Sequence, residues 1–215
     1  YGTDGQGYAI SLVPEFETLQ FFEYGDGGFV KMLDRPVEIA SGISDVGGFL
    51  GRPDGSFWFT IISAAENLEM GVGAVHPSLE YIVYHGSVPM PPEQAVTIPN
   101  GVRLITEDHG GNIWLGGMEG AVMLDADLNA SVYKEPQGLV GDMVTDLVVD
   151  ESGKVWALTV DGLGWFMDGD WKFPDEHPYR GGIIDALGLD ASGRLLMADQ
   201  EAIYRKVGMD WTVVV

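Results

Sequence analysis

The sequence predicts an all-β fold made of repeated four-stranded antiparallel sheets, and three observations support that prediction. The same hairpin recurs along the chain, each copy with an apolar strand, a tight turn that ends in Gly and a second strand. A bulky residue follows each turn glycine by three positions, and apolar and polar residues alternate with a period of two. Glycines cut the pattern about every ten residues, which excludes long amphipathic helices.

The repeat becomes clear when the copies are aligned on their turn glycines. These glycines and the bulky residues that follow them are Gly5 with Tyr8, Gly55 with Trp58, Gly111 with Trp114, Gly153 with Trp156, and Gly193 with Leu196. Successive bulky residues are 50, 56, 42 and 40 residues apart, a period near the roughly 40 to 50 residues of propeller blades. We therefore predict a β-propeller of about five four-stranded antiparallel blades, with the bulky residue in the wedge between neighbouring blades.

A single domain over residues 1–215 is expected, with blades at about 1–40, 41–86, 87–137, 138–180 and 181–215. The first blade lacks a convincing innermost strand, so two interpretations stay open. Either residues 1–6 supply a short strand and the ring closes within this chain, or the missing strand belongs to a removed segment or a partner chain. We favour closure, because an open propeller would expose two sheet faces to water.

Composition excludes several classes of function. The chain of 215 residues has 33 acidic and 11 basic residues, a net charge of −22, which repels phosphate backbones and argues against a nucleic-acid partner. It has no Cys, and so no disulfide, thiolate zinc site or thiol nucleophile. No apolar run approaches the roughly 20 residues that cross a bilayer, so membrane insertion is not expected.

Two segments resemble known propeller families. Leu139 to Phe166, with its Gly turn, Trp156 and following glycines, resembles the two-component regulator propeller repeat, and the likeness is strongest over residues 101–206. The segment GRPDGSFWFT, around Trp58, is also similar to one blade of virginiamycin B lyase-type propellers. The first resemblance implies a propeller fold and, from the periplasmic sensor domains in which the repeat occurs, an extracytoplasmic (periplasmic or secreted) location.

Motifs for chemistry are sparse. No two of the four histidines share metal-ligand spacing, and His109 in its turn is best interpreted as a surface residue. The acidic turns lack the twelve-residue calcium arrangement, and Asp favours such turns by bonding its own backbone. We therefore expect no cofactor or metal site and regard any bound calcium as incidental. No nucleophile elbow or phosphate-binding loop is present, so the catalytic residues are unknown and a non-enzymatic role is favoured.

The ligand-binding face is predicted from topology. Connections between blades, and those between the second and third strands of a blade, lie opposite the Gly turns and can vary while the blades stay rigid. The predicted binding residues on this face are Asp45, Glu66, Glu119, Asp142, Asp161, Arg180 and Asp185. Arg180 can clamp a carboxylate or sulfate, although pairing with a neighbouring acid such as Asp185 is favoured.

The leading hypothesis is a non-enzymatic propeller that binds a small molecule, an oligosaccharide or a protein as a sensory or interaction module. One alternative is a carbohydrate-active hydrolase or lyase with its site at the axial mouth of the propeller, where two facing carboxylates would suffice for glycoside hydrolysis. The other is a structural propeller fragment that self-associates or is completed by another chain.

Overall fold

The computed structural model describes most of the strands and, in the second half, most of the turns. The described residues are 7–13, 18–25, 28–36, 43–52, 56–63, 70–75, 81–85, 101–127, 129–173, 184–208 and 210–214. They form five antiparallel sheets, and the chain divides into two compact units, Tyr1–Ile105 and Thr106–Val215. In this part of the chain no helix is long and apolar enough to cross a membrane.

The first unit contains two sheets. The first sheet has the order β1-β2-β3 and the second the order β4-β5-β6-β7. Their strands are β1 (Gly7–Val13), β2 (Thr18–Gly25), β3 (Gly28–Pro36), β4 (Ile43–Gly51), β5 (Phe57–Ser63), β6 (Met70–Val75) and β7 (Tyr81–His85). Leu50, Phe57, Trp58 and Phe59 are buried, so the Trp that the repeat singles out in the second sheet belongs to the core.

Three more sheets follow, and the boundary between the two units falls within the first strand of the third sheet. In each sheet the four strands are neighbours in chain order. The strands are β8 (Val102–Glu107), β9 (Ile113–Gly117), β10 (Gly120–Leu124), β11 (Ala130–Tyr133), β12 (Val144–Val149), β13 (Val155–Thr159), β14 (Gly162–Met167), β15 (Asp170–Lys172), β16 (Ile184–Leu189), β17 (Leu195–Asp199), β18 (Ile203–Val207) and β19 (Asp210–Val213).

These sheets confirm the predicted all-β class of four-stranded antiparallel units. The first sheet has three described strands, and the proposed extra strand at residues 1–6 lies outside the described residues. Ring closure and the single-domain organisation with its blade boundaries therefore stay predictions.

The turn glycines and their bulky partners account for the local structure of the repeat. Gly111, Gly153 and Gly193 have φ values of +81°, +84° and +76°, the left-handed conformation that glycine adopts without a steric penalty. Each closes a turn by donating its N–H to the residue three positions earlier, at 3.0, 2.9 and 2.9 Å respectively. The prediction of tight Gly turns is confirmed at these three positions.

The predicted wedge between neighbouring sheets is also present in the second unit. Trp114 of the third sheet is fully buried and lies 4.8 Å and 6.0 Å, centroid to centroid, from Phe166 and Trp171 of the fourth sheet. Trp156 of the fourth sheet belongs to a buried cluster with fifth-sheet residues, among them Ile184, Leu195 and Met197. Burying one indole removes about 200 Å² of surface from water, a stabilisation of roughly 5 kcal/mol.

Candidate functional site

The residues predicted for the ligand-binding face are only partly described. Glu66 and Arg180 lie outside the described residues, so the predicted pairing of Arg180 with Asp185 stays a prediction. Asp45 lies in β4, where the register shifts between Ile43 and Asp45. Asp185 is exposed in β16 at a similar shift, between Ile184 and Ala186.

Glu119, Asp142 and Asp161 each contact a nearby part of the chain. Glu119 lies 3.6 Å from the ammonium group of Lys134. Asp142 accepts the backbone N–H of Glu135 at 2.8 Å, at the start of the short 3-10 helix Glu135–Gln137. Asp161 lies against Gly141, where an added Cβ would overlap its carboxylate.

The contacts of Glu119, Asp142 and Asp161 tie connections and turns to their neighbours, and no ion pair or hydrogen bond joins two of these three residues. The structure therefore does not join these three residues into one constellation, and the role in binding of the whole predicted set stays a prediction.

A second set of acidic residues lies at the opposite end of the strands, in the Gly turns. Asp108, Asp150 and Asp190 each stand three positions before the turn glycine. One carboxylate oxygen of each accepts backbone N–H groups two and four positions later, at 2.8 and 3.0 Å, 2.8 and 3.2 Å, and 2.8 and 3.1 Å respectively. At these three turns the bonds confirm the prediction that Asp stabilises the turn by bonding its own backbone.

The second oxygen of each carboxylate has a partner that sequence analysis missed. Trp114 Nε1–H donates to Asp108 at 2.8 Å, and Trp156 Nε1–H donates to Asp150 at 2.7 Å. The signal was present in the sequence as Asp, Gly three positions later and Trp six positions later. The same residues that shape the turn thus satisfy the polar atom of the buried Trp, as a buried indole requires.

These bonds keep the carboxylates ionised. Burial raises the pKa of Asp150, but hydrogen bonds from Ser152, Trp156 and the backbone outweigh it, so the pKa lies below its ordinary value. The pKa of Asp108 is lowered in the same way, against a similar effect of burial, by Asn112, Trp114 and the backbone. A carboxylate that accepts several hydrogen bonds is stabilised in its charged form.

Asp190 has the same backbone bonds but different side-chain partners, because Leu196 stands where the other repeats have Trp. Arg194 reaches its outer oxygen through Nε at 2.9 Å and Nη2 at 2.8 Å. Nε of Arg205 lies 2.9 Å from that same oxygen. The hydrogen bond from Arg194, with backbone bonds, lowers the pKa of Asp190 to about 2.

A cavity of about 170 Å³ opens between the turn ends of the fourth and fifth sheets. It is lined by Asp150, Glu151, Ser152, Lys154, Trp156, Arg194, Leu195, Lys206 and Gly208. Three of these residues are cationic and two are acidic, in a chain with three times as many acidic as basic residues. The cavity has no signature in the sequence, since its residues belong to three strands and the adjoining turns of two different repeats.

The turns of neighbouring sheets also contact each other directly. A Cβ added to Gly153 would lie 3.1 Å from Nδ1 of His109, so the imidazole packs on the next turn. Glu151 donates its backbone N–H to the carbonyl of Gly193 at 2.8 Å. His109 is exposed, and its contact fits the predicted surface role. Among the described residues no three His, Asp or Glu side chains are grouped to hold a metal ion.

The known proteins that this chain resembles are found among solved structures. No family model matches the sequence, and no curated protein is significantly similar to it. Solved structures are similar in fold. A catalytically inactive virginiamycin B lyase from Staphylococcus aureus, with Quinupristin, has a TM-score of 0.60 at 14% identity, over 97% of this chain and 59% of the lyase. The chain thus spans less than two thirds of that protein.

Two further structures belong to different kinds of protein. The extracellular domain of a B. thetaiotaomicron protein classed as a hybrid two-component system has a TM-score of 0.59 at 18% identity, over 94% of this chain and 29% of its own. The major allergen Mala s 1 of Malassezia sympodialis has a TM-score of 0.60 at 13% identity, over 98% and 76%. Structures similar to this chain therefore include both propeller groups that its sequence resembles, and the chain has a β-propeller fold.

Proposed function

We propose that the chain is part of a non-enzymatic, extracytoplasmic β-propeller that binds a small molecule, an oligosaccharide or a protein in a sensory or interaction role. The observation that carries the proposal is the fold shared with extracellular domains of two-component systems over 94% and 96% of this chain. The resemblance of residues 101–206 to the regulator propeller repeat points the same way. Fold alone does not determine activity, so the chemistry of the side chains also has to be considered.

Three turn carboxylates of the second unit are engaged in structural bonds and do not have the raised pKa of a general acid. Asp108 and Asp150 are each engaged by two backbone N–H groups and an indole, and Asp190 by two backbone N–H groups and two guanidinium groups. A general acid needs a raised pKa, whereas the pKa of each of these three groups is lowered. They act as fixed parts of the scaffold.

A lyase is the second candidate, because virginiamycin B lyases share the fold over 97% and 98% of this chain. The two functions differ in whether a bound compound is converted. We would incubate the purified chain with Quinupristin and with a panel of neutral and acidic sugars and oligosaccharides. Melting temperature would report binding, and chromatography with mass detection would report any product.

We expect at least one compound of the panel to raise the melting temperature while its mass and amount stay constant, since a ligand that binds the folded state stabilises it by mass action. Enzyme-dependent appearance of a product would contradict the non-enzymatic proposal and favour the lyase. A panel without any stabilising compound would direct the search to protein partners, by cross-linking on the cell surface.

The remaining alternative, a propeller fragment that is completed by another chain, has a separate test. Light scattering measures the mass of the isolated chain in solution. A clean monomer that unfolds cooperatively would contradict obligate pairing, and a stable dimer would favour it.

A further inference from the structure

We propose that the connections of the third and fourth sheets, at the end of the strands opposite the Gly turns, form a docking surface for a basic, apolar-rich segment of a partner protein. The docking surface consists of three pairs of exposed residues, each with one large apolar and one acidic side chain. The pairs are Met118 with Glu119, Asp142 with Met143, and Val160 with Asp161. The inference rests on the proposed binding function and selects, among the ligands which that function allows, a protein segment.

The apolar members of the three pairs are neighbours in the folded chain. The Gly turns of the third and fourth sheets contact each other, so the opposite ends of these sheets also lie side by side. Met118 follows the last residue of β9, Met143 precedes the first residue of β12, and these two strands are in contact. The carbonyl of Met143 accepts the backbone N–H of Val160 at 3.2 Å. The two methionines and the valine therefore belong to one stretch of surface.

The acidic members are linked through the same connections. Glu119 lies 3.6 Å from the ammonium group of Lys134, and the next residue, Glu135, donates its backbone N–H to Asp142 at 2.8 Å. Asp161 lies against the glycine that precedes Asp142. No bond joins the three carboxylates directly, but these successive contacts place them beside one another along the docking surface.

The apolar residues are not required by the turns that carry them. Met118, Met143 and Val160 are 55%, 43% and 62% exposed, so they add little to the core. In the fifth sheet the turn between the second and third strands has Gln200 at the position that Met118 and Val160 occupy in theirs. Since a polar residue fits this turn, adjacent apolar side chains that are rimmed by charged groups indicate a surface for a protein partner.

Charge selects the chemistry of that partner. The residues that contact one another here include four acids, Glu119, Glu135, Asp142 and Asp161, and one cation, Lys134, which leaves a net charge of −3. Within the described part of the chain no other cation pairs with these four carboxylates. The pair of Glu119 and Lys134 has side chains 49% and 37% exposed, and exposed pairs are weak and easily exchanged. A segment that carries Lys or Arg is therefore attracted, and an acidic one is repelled.

The shape of the docking surface favours a protein segment over a small molecule. Small ligands bind in concave sites that enclose most of their surface, whereas the pairs at Met118 and Val160 lie at the tips of turns that project from two different sheets. Methionine adapts its flexible side chain to irregular partners and is enriched at protein interfaces. The complementary segment thus has large apolar side chains interleaved with Lys or Arg.

Binding of labelled synthetic peptides, measured by fluorescence anisotropy at physiological ionic strength, tests the docking surface. The probe is a short peptide of alternating Lys and Leu. Two control peptides of the same length separate charge from apolar contact. Alternating Lys and Ser keeps the charge without the apolar side chains, and alternating Glu and Leu keeps the apolar side chains with the opposite charge.

Variants of the chain show where the peptide binds. Met118→Gln and Val160→Gln copy the residue of the fifth-sheet turn, and Asp161→Asn removes a charge at nearly constant shape. The matched controls are Val207→Gln and Asp170→Asn. Val207 is 46% exposed at the end of β18 and Asp170 is exposed at the start of β15, both at the Gly-turn end of their sheets. Thermal unfolding shows that each variant is folded.

We expect the Lys-Leu peptide to bind and both control peptides to bind about tenfold or more weakly, because the docking surface combines charge with apolar contact. Each variant of the docking surface should weaken binding of the Lys-Leu peptide about fivefold, as the loss of a contributing interface residue does. Its melting temperature should stay that of the unmodified chain. The two control variants should bind the peptide as the unmodified chain does.

Three results would overturn the docking surface: the Lys-Leu peptide does not bind, either control peptide binds as tightly, or the control variants weaken binding as much as the surface variants do. Equal binding of the Lys-Ser peptide would show that the net charge of the chain alone attracts cations. The proposed binding function would survive each of these results if a compound of the sugar panel stabilises the chain. Conversion of such a compound into a product would contradict the non-enzymatic role and leave the docking surface in place.

Discussion

The turns of the fourth and fifth sheets start from the same backbone design and differ in what their aspartate holds. In the fourth sheet Asp150 accepts the indole N–H of Trp156 inside the protein. In the fifth sheet Leu196 replaces Trp, and Asp190 is held instead by Arg194 and Arg205. Both turns keep the same backbone geometry, because the aspartate accepts two backbone N–H groups whichever side chain binds its other oxygen. The distances are 2.8 and 3.2 Å for Asp150 and 2.8 and 3.1 Å for Asp190.

The exchange has a chemical consequence. A Trp bonded to Asp is part of the wedge between sheets and contributes to stability. In the fifth sheet Asp190 forms ion pairs with the guanidinium groups of Arg194 and Arg205. Of these two residues, Arg194 lines the cavity. One repeat unit can therefore serve as a structural joint in one sheet and as a scaffold for positive charge in the next.

The largest expected effect concerns the wedge residue itself. Trp156→Ala removes a side chain that is 1% exposed and should lower the free energy of unfolding by about 3 to 5 kcal/mol, the usual cost of truncating a buried aromatic. Leu196 occupies the same position of the fifth repeat and is half-buried. Leu196→Ala should therefore lower the free energy of unfolding by only about 1 to 2 kcal/mol. Urea unfolding followed by circular dichroism measures both. Equal losses would contradict the difference between the two turns.

The next effect isolates the bond between aspartate and indole. Asp150→Ala leaves the buried N–H of Trp156 and the backbone N–H groups of Ser152 and Lys154 without their acceptor, at a cost of about 2 to 3 kcal/mol. In a Trp156→Phe background, which has no N–H to satisfy, the same change should cost less. A double-mutant cycle measured by urea unfolding gives the coupling. A coupling near zero would show that the indole bond does not stabilise the fold.

Much of this architecture could be predicted from the sequence because it depends on local chemistry. A left-handed turn position selects Gly, and a bulky residue three positions on fills the wedge, so Gly153 with Trp156 was identifiable without a structure. The bond from Trp156 to Asp150 joins residues six positions apart, and its spacing was visible in two repeats. It was missed because the turn already explained the aspartate.

The cavity could not be predicted in this way. Lys154, Arg194 and Lys206 are brought together by the packing of one sheet against the next, and their spacing of 40 and 12 residues carries no motif. Topology favoured the opposite end of the strands, where connections are longer. The sequence shows that basic residues are few. That three of them line one cavity becomes visible only in the folded structure.

A smaller effect is expected where the turns of neighbouring sheets meet. Gly153→Ala introduces a Cβ at φ +84° and 3.1 Å from His109, so it should destabilise by about 1 to 2 kcal/mol from the backbone, plus a contribution from the contact. Gly169→Ala is the control, since its φ of +88° has the same strain but no atom lies within 4 Å of the added Cβ. Thermal unfolding compares them. If both variants are equally stable, the packing of His109 on the next turn contributes nothing.

The smallest effect is a change in the dependence of stability on pH, and it separates the charged turn from the indole turn. Because the folded-state pKa of Asp190 is lowered from 3.8 to about 2, its ionised form favours the folded state above pH 3.8, and this contribution is lost as the pH falls from about 4 to 2. Asp190→Asn should therefore lower the melting temperature at pH 6 and flatten its decline below pH 4. Asp108 and Asp150 keep their lowered pKa values in the variant, so some decline remains. Asp185→Asn, at an exposed strand residue, should follow the unmodified chain. An unchanged slope in Asp190→Asn would show that Arg194 and the backbone N–H groups do not stabilise the ionised carboxylate in solution.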